Sequence, residues 1–350
     1  MPSVEKISQR VTETRWSIIF VFLATFQAIV IIAIQAAIAY ENTTESNQLK
    51  DSAVAGIPDA GERFDRMRWE NIAFCGFQVW FCVMAYDSVV NQNVAEAVAI
   101  FAFNLICAVL GALEILDNNL WIKRLQTSVD VSVLKTAEKI EIVLAVILPL
   151  LALIFALPTY KLVKQLGWTR YKKIGADLSI DRMFRLFQRF VLLLKINIFT
   201  EFIVSLFFVI KGGSSLLGPT TASTSWQRWM EAVQIVVTAL MIPMLYFARS
   251  AVSAESPNRM ISFIVFQVVV IFHFALMLYN TLYLSDKWVI WLCFVIMGII
   301  IAITTIVLAA MCKNNFGKGL KPLVQRGAAK QAELKEMHAL QEQETWKIDD

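Results

Sequence analysis

Charge is scarce in this chain, and histidine is scarcer. Only 17% of its 350 residues are Asp, Glu, Lys or Arg against 57% hydrophobic residues, and its mean hydropathy is +0.60. A soluble domain could not build a hydrated surface from so few charges, so that class is excluded. The two histidines are His273, inside an apolar run, and His338, in the polar C-terminal stretch. Their separation leaves no histidine-built metal site and no cofactor to expect. Walker loops, H-E-x-x-H, C-x-x-C and G-x-S-x-G are all missing, so the chain reads as a non-enzyme, and no nucleic-acid partner is expected. Cys75, Cys82, Cys107 and Cys293 fall in apolar runs and Cys312 closes the last one, which excludes a disulfide framework outside the membrane. Cys312 beside Lys313 is a candidate for S-palmitoylation.

What the chain has in abundance is apolar runs long enough to cross ~30 Å of hydrocarbon at ~1.5 Å per residue. They fall near 16–40, 69–90, 94–116, 140–163, 187–210, 230–248, 260–283 and 288–311. Residues 69–116 and 260–311 are each too long for one crossing, which favours eight spans over seven and argues against a seven-span receptor. The expected fold class is therefore an all-α polytopic transmembrane bundle, with an N-terminal segment 1–15, a bundle 16–312 and a tail 313–350. An even span count puts both termini on one side. Lys and Arg gather in the N-terminus, the fourth loop and the tail, which makes that side the cytosol. Residues 41–68, with Gly56, Pro58 and Gly61, read as a flexible connector, and Asn42–Thr43–Thr44 within it is a glycosylation sequon. From 327 to 343 the tail has good helix propensity, a candidate docking helix for a protein partner.

An ionisable group facing lipid at the bilayer centre costs roughly 3 kcal/mol or more, so the few inside the spans are informative. Glu201 lies mid-span and is too short to reach either interface. Asn197, Glu201 and Ser205 follow i, i+4, i+8 and should face other helices, where Glu231 and His273 offer further polar groups. Together they form a candidate intramembrane polar site, either a pathway or a set of interhelical hydrogen bonds. Lys195 sits about 9 Å in from Arg189 at the helical rise, close enough for its stem to return the ammonium to the headgroups. Asp87, Glu96, Glu114 and Glu141 lie near span ends, where carboxylates stay hydrated. Arg182, Arg185 and Arg189 share one face at the entry to the fifth span and, with Lys172 and Lys173, form a candidate contact for anionic lipid.

The stretch WTRYKKIGADLSIDRMFRLFQRFVLLLKINIFTEF, residues 168–202, resembles the signature of an uncharacterised fungal family of Golgi apparatus membrane proteins. The likeness rests on Tyr171–Asp177, Met183, Arg185, Gln188 and Leu193–Lys195, whereas Asn197 and Thr200–Glu201 stand where that family favours aspartate and phenylalanines. The resemblance implies an integral Golgi or related endomembrane location and carries no assigned activity. Two functions follow from the residues themselves. One is a transporter or channel-like protein with a polar interior near Glu201. The other is a trafficking scaffold that contacts lipids or coat machinery through its basic loop and tail.

Overall fold

The structure is a computed structural model, and it describes residues 4–51, 60–125, 132–174, 178–215, 225–282 and 289–318. A short amphipathic helix α1 (Val4–Thr12) precedes the bundle and packs on its first two long helices. Those long helices are α2 (Arg15–Asp51), α3 (Ala60–Val90), α4 (Val94–Leu125), α5 (Ser132–Ile174), α6 (Leu178–Asn197), α7 (Val204–Ser215), α8 (Ser225–Ser253), α9 (Pro257–Leu282) and α10 (Val289–Lys313). A π turn, Ile198–Ile203, joins α6 to α7 into one continuous rod. Eight of these rods are long and apolar enough to cross a membrane, matching the span count read from hydropathy.

Two expectations about connections need correction. The segment 41–68, read as a flexible connector, continues α2 as far as Asp51 and already belongs to α3 from Ala60. The fourth loop is likewise taken up by α5, which runs for 43 residues to Ile174. Hydropathy marks where a helix leaves the lipid; it says nothing of whether the helix stops there. The candidate docking helix at 327–343 lies outside the described residues.

Large apolar side chains such as Phe22, Val83, Val109, Leu153, Leu157 and Ile300 point outward along the rods. On a soluble protein such a surface would aggregate; here it meets acyl chains. Inside, the rods divide into two rings of four, α2–α5 and α6–α10. In each ring the first rod packs on the second and fourth, and the third packs on the same two. Phe20, Phe81, Phe155 and Leu148 fill the first core; Met241, Phe263, Phe274 and Val295 help fill the second.

The two rings repeat one another. In the α3–α4 turn, Asn91 N–H bonds Asp87 O, Gln92 bonds Val89, Asn93 bonds Ser88 and Ala97 bonds Asn93. The α8–α9 turn makes the same four bonds, from Ala254 to Ser250, Glu255 to Val252, Ser256 to Ala251 and Met260 to Ser256. Both turns also pivot on a left-handed residue, Gln92 at φ 54° and Glu255 at φ 50°. The same numerical correspondence pairs buried positions along the helices: Asn71 with Gln234, Ala85 with Ala248, Val89 with Val252 and Asn104 with Gln267. Residue identity is mostly lost between the rings, while the turn geometry and the buried register persist.

Close packing in the second ring depends on Gly298 of α10. A Cβ at that position would collide with the ring of Phe274, which is fully buried on α9. Gly298→Val is expected to destabilise the chain by about 1–3 kcal/mol through overpacking. Thermal unfolding in detergent measures this, and an unchanged midpoint would show that the α9–α10 contact is looser than described.

Candidate functional site

Three buried polar assemblies sit in this frame, at different depths and with different neighbours. The first is the seam predicted on the fifth span. Asn197, Glu201 and Ser205 are all fully buried. In an α-helix eight residues leave Asn197 and Ser205 about 80° apart, but a π turn absorbs one extra residue and cuts that to about 20°. The π turn therefore aligns a stripe that simple i, i+4, i+8 spacing would let drift. Side chains also take up carbonyls at its entrance, the Thr200 hydroxyl donating to Ile196 O (3.1 Å) and the Trp80 indole to Lys195 O (3.2 Å).

Within the seam the partners are distributed rather than clustered. Asn197 donates to the Thr305 hydroxyl at 3.1 Å, and Gln267 donates to Glu201 at 3.2 Å. Ser205 meets both the Thr238 hydroxyl and His273 Nε2, the latter at 2.7 Å. Of the predicted set, Ser205 and His273 are brought together, Glu201 is engaged by a residue that spacing did not single out, and the Glu231 side chain lies outside the described residues. The first ring has its own version: Gln27 of α2 donates to Asn104 of α4 at 2.5 Å. Since Asn104 and Gln267 are matched positions, each ring ties its first rod to its third across the core by one buried amide. In the second ring the acceptor of that amide is Glu201.

The second assembly was not foreseen. Lys195 does not return its ammonium to the headgroups; Nζ bonds Asp87 of α3 and Glu96 of α4. Nor is Glu96 hydrated at its span end, since it is 1% exposed. The α3–α4 turn dips to the level of Lys195 and presents two carboxylates, and in a low-dielectric setting pairing with them prevails over stretching the stem toward water. Asn93 orients the cluster: its Oδ1 caps α4 by accepting from Ala95 N (3.1 Å), and its Nδ2 donates to Glu96 (2.7 Å). Asn91 donates to Asp87. These contacts tie the two rings together. No sequence signal short of a three-dimensional contact could have joined residues so far apart.

Beside the cluster a cavity of about 320 Å³ opens between the rings at the end that bears the two matched turns. Asn93 and Glu96 line it from the first ring; Gln188, Lys195, Arg249 and Ser253 line it from the second. Phe184, Phe187 and Val191 of α6 add an apolar wall. On the other side of Lys195 the interface is aromatic, with Phe199 5.0 Å from Phe77 and 5.8 Å from Trp80 between ring centroids. A narrow, mostly apolar cleft of about 50 Å³ follows, bordered by Phe103, Thr200 and Phe294. Glu201 borders neither space.

The third assembly lies away from that cavity, where Asn118 of α4 donates to Glu141 of α5 at 2.8 Å. Both are buried, so Glu141 is another span-end carboxylate that the protein, not water, satisfies.

The remaining sequence-predicted positions are placed as follows. Asn42 is 1% exposed on α2, and a glycan there would require that part of the helix to leave its neighbours, so the sequon is not presented as a surface acceptor. Cys312 is 5% exposed and belongs to the core around Phe190 and Phe263, which withdraws it from acylation in this conformation. Arg182 and Arg189 are exposed on α6, and Arg185 pairs with Asp181 at 2.9 Å. The Lys172 and Lys173 side chains lie outside the described residues.

An outward surface of apolar side chains, eight membrane-length rods and a polar cavity between two repeated rings define a polytopic integral membrane protein. Over most of its length the chain is similar to a fission yeast protein, the UPF0658 Golgi apparatus membrane protein of Schizosaccharomyces pombe. The two are 24% identical over 281 residues, covering 71% of this chain and 74% of that protein. No family model matches the chain, and no solved structure matches it. The eight spans and this relative agree with the integral Golgi membrane protein expected from residues 168–202.

Proposed function

We propose that the chain is a non-enzymatic carrier of small solutes across the Golgi membrane, with the inter-ring cavity as its solute site. The observation that carries this reading is the position of the cavity. It lies between two repeated helical rings, is walled by both, and has the Lys195–Glu96 ion pair in its lining. Carriers built from repeats hold their solutes at the repeat interface and expose them by rocking one repeat against the other. With the orientation read from Lys and Arg, the described state opens to the cytosol. On this reading the solute sits nearer the cytosolic face than it would in a pathway through Glu201.

Flux tests the proposal. Proteoliposomes holding the full chain should show saturable counterflow for some member of a small-solute panel. Ser253→Trp, which fills the cavity, should lower that flux by about tenfold or more while leaving the elution profile in detergent unchanged. Absence of saturable flux across sugars, nucleotides, amino acids and organic acids would remove the carrier reading.

The exposed Arg182 and Arg189 favour contact with anionic headgroups at the same face, which suits the trafficking-scaffold alternative as well as a carrier. A scaffold would bind anionic vesicles and show no flux. A protein partner for residues 327–343 belongs to that alternative.

A further inference from the structure

The matched turns differ in charge, and the cavity lies between them. Around the first turn stand Asp87 and Glu96, with one lysine, Lys195, between them, so one formal negative charge is left over. Glu96 Oε2 is buried without a hydrogen-bond partner. Around the second turn, the counterparts of Asp87 and Glu96 are Ser250 and Arg259, and Arg259 donates to the Ser250 hydroxyl at 3.3 Å. Arg249 lines the cavity one residue earlier, with no carboxylate partner among the described residues. Against Arg249 and Arg259 that turn has one acid, Glu255, which accepts from Gly317 N at 3.1 Å, so its formal balance is one positive charge. Of these charged groups, Glu96 lines the cavity from the first ring, beside Lys195, and Arg249 lines it from the second, so a carboxylate and a guanidinium face it from opposite rings.

We propose that this cavity binds a small zwitterion of the amino-acid class, its ammonium toward Glu96 and its carboxylate toward Arg249. A solute with one charge would satisfy one pole and leave the other desolvated. The Asn93, Gln188 and Ser253 side chains supply hydrogen bonds, and Phe184, Phe187 and Val191 receive an apolar side chain. The volume sits at the small end of ligand pockets, about 300–1,000 Å³, which suits an amino acid better than a nucleotide sugar. The role of this ligand as a transported substrate rests on the carrier reading; its binding does not.

The test uses the purified full chain in nanodiscs and three probes of one skeleton: L-leucine, isopentylamine and 4-methylpentanoate. Leucine should raise the unfolding temperature in a saturable way, with the amine and the acid each at least about tenfold weaker. Arg249→Gln, at an exposed position that the fold tolerates, should bring leucine down to the level of the amine. Glu96→Gln should bring it down to the level of the acid. Equal binding of either single-charge probe would overturn the proposal. So would no response to any of the twenty standard amino acids. Binding without flux would sink the carrier reading and leave the zwitterion site standing; saturable flux confined to non-zwitterionic solutes would do the reverse.

Discussion

Lys195→Met should be the most damaging single substitution in the bundle. It removes the only cation from between Asp87 and Glu96 and leaves two carboxylates facing each other at the inter-ring contact. Breaking a buried pair by deleting one partner costs about 3–5 kcal/mol, because the remaining charge has neither water nor a counter-ion. Asp87 keeps a third of its side chain exposed and can be hydrated, so the loss falls chiefly on Glu96, whose side chain is 1% exposed. Purified variant protein should unfold at lower temperature or denaturant than the parent, or fail to accumulate. Replacing all three charges together, Lys195→Met with Asp87→Asn and Glu96→Gln, should restore most of the stability. If Lys195→Met alone unfolds like the parent, the ammonium does not bridge the rings. A triple variant no better than the single would place the damage in packing of the lysine stem.

The π turn makes an unusual demand on residue count. Deleting Ile198, which is exposed on the lipid side, should let the rod close into plain α-helix while Asn197 and Ser205 keep their present facing. Inserting one alanine between Ile198 and Phe199 should instead rotate everything beyond by about 100° and carry Ser205 away from Thr238 and His273. The deletion variant is therefore expected to fold, with a modest loss from displaced Thr200 and Glu201. The insertion variant is expected to lose most folded yield. Detergent-resistant monodispersity on size exclusion reads both, and equal damage from the two changes would mean that the rod is α-helical throughout.

Hydropathy made the eight rods legible because lipid imposes one simple requirement, a sustained apolar length. The break between Val90 and Val94 coincides with the structure, since that turn is too short to blur, whereas the outer bounds do not: α3 already begins at Ala60 and α4 runs on to Leu125. The extensions of α2 and α5 were illegible because polar residues in helical register look the same as polar residues in a loop. Glu201 was recognisable as inward-facing from its depth, and Asn197 and Ser205 from their i, i+4, i+8 spacing with it. Their partners Thr305 and Gln267 were not, because spacing along one helix says nothing of which neighbour it meets. Lys195 was misread for a different reason. Snorkelling is a property of one helix in lipid, whereas the actual competitor for its ammonium is a pair of acids some hundred residues earlier in the chain. The cavity is the least legible feature, being a property of how two rings sit together.

The repeated turns set a condition on any solute held between them. Were the two rings identical, each wall of the cavity would present the same charges, and the space would suit an ion of one sign or a molecule with twofold symmetry. With Glu96 on one wall and, on the other, Arg249, whose counterpart in the first ring is Tyr86, the walls are unlike instead of equal. The zwitterion proposed for this space would then have one favoured orientation, with a half-turn of the same molecule opposed by both walls. The turn geometry and the buried register repeat while the charges on the two walls do not, and that difference gives the cavity a head and a tail.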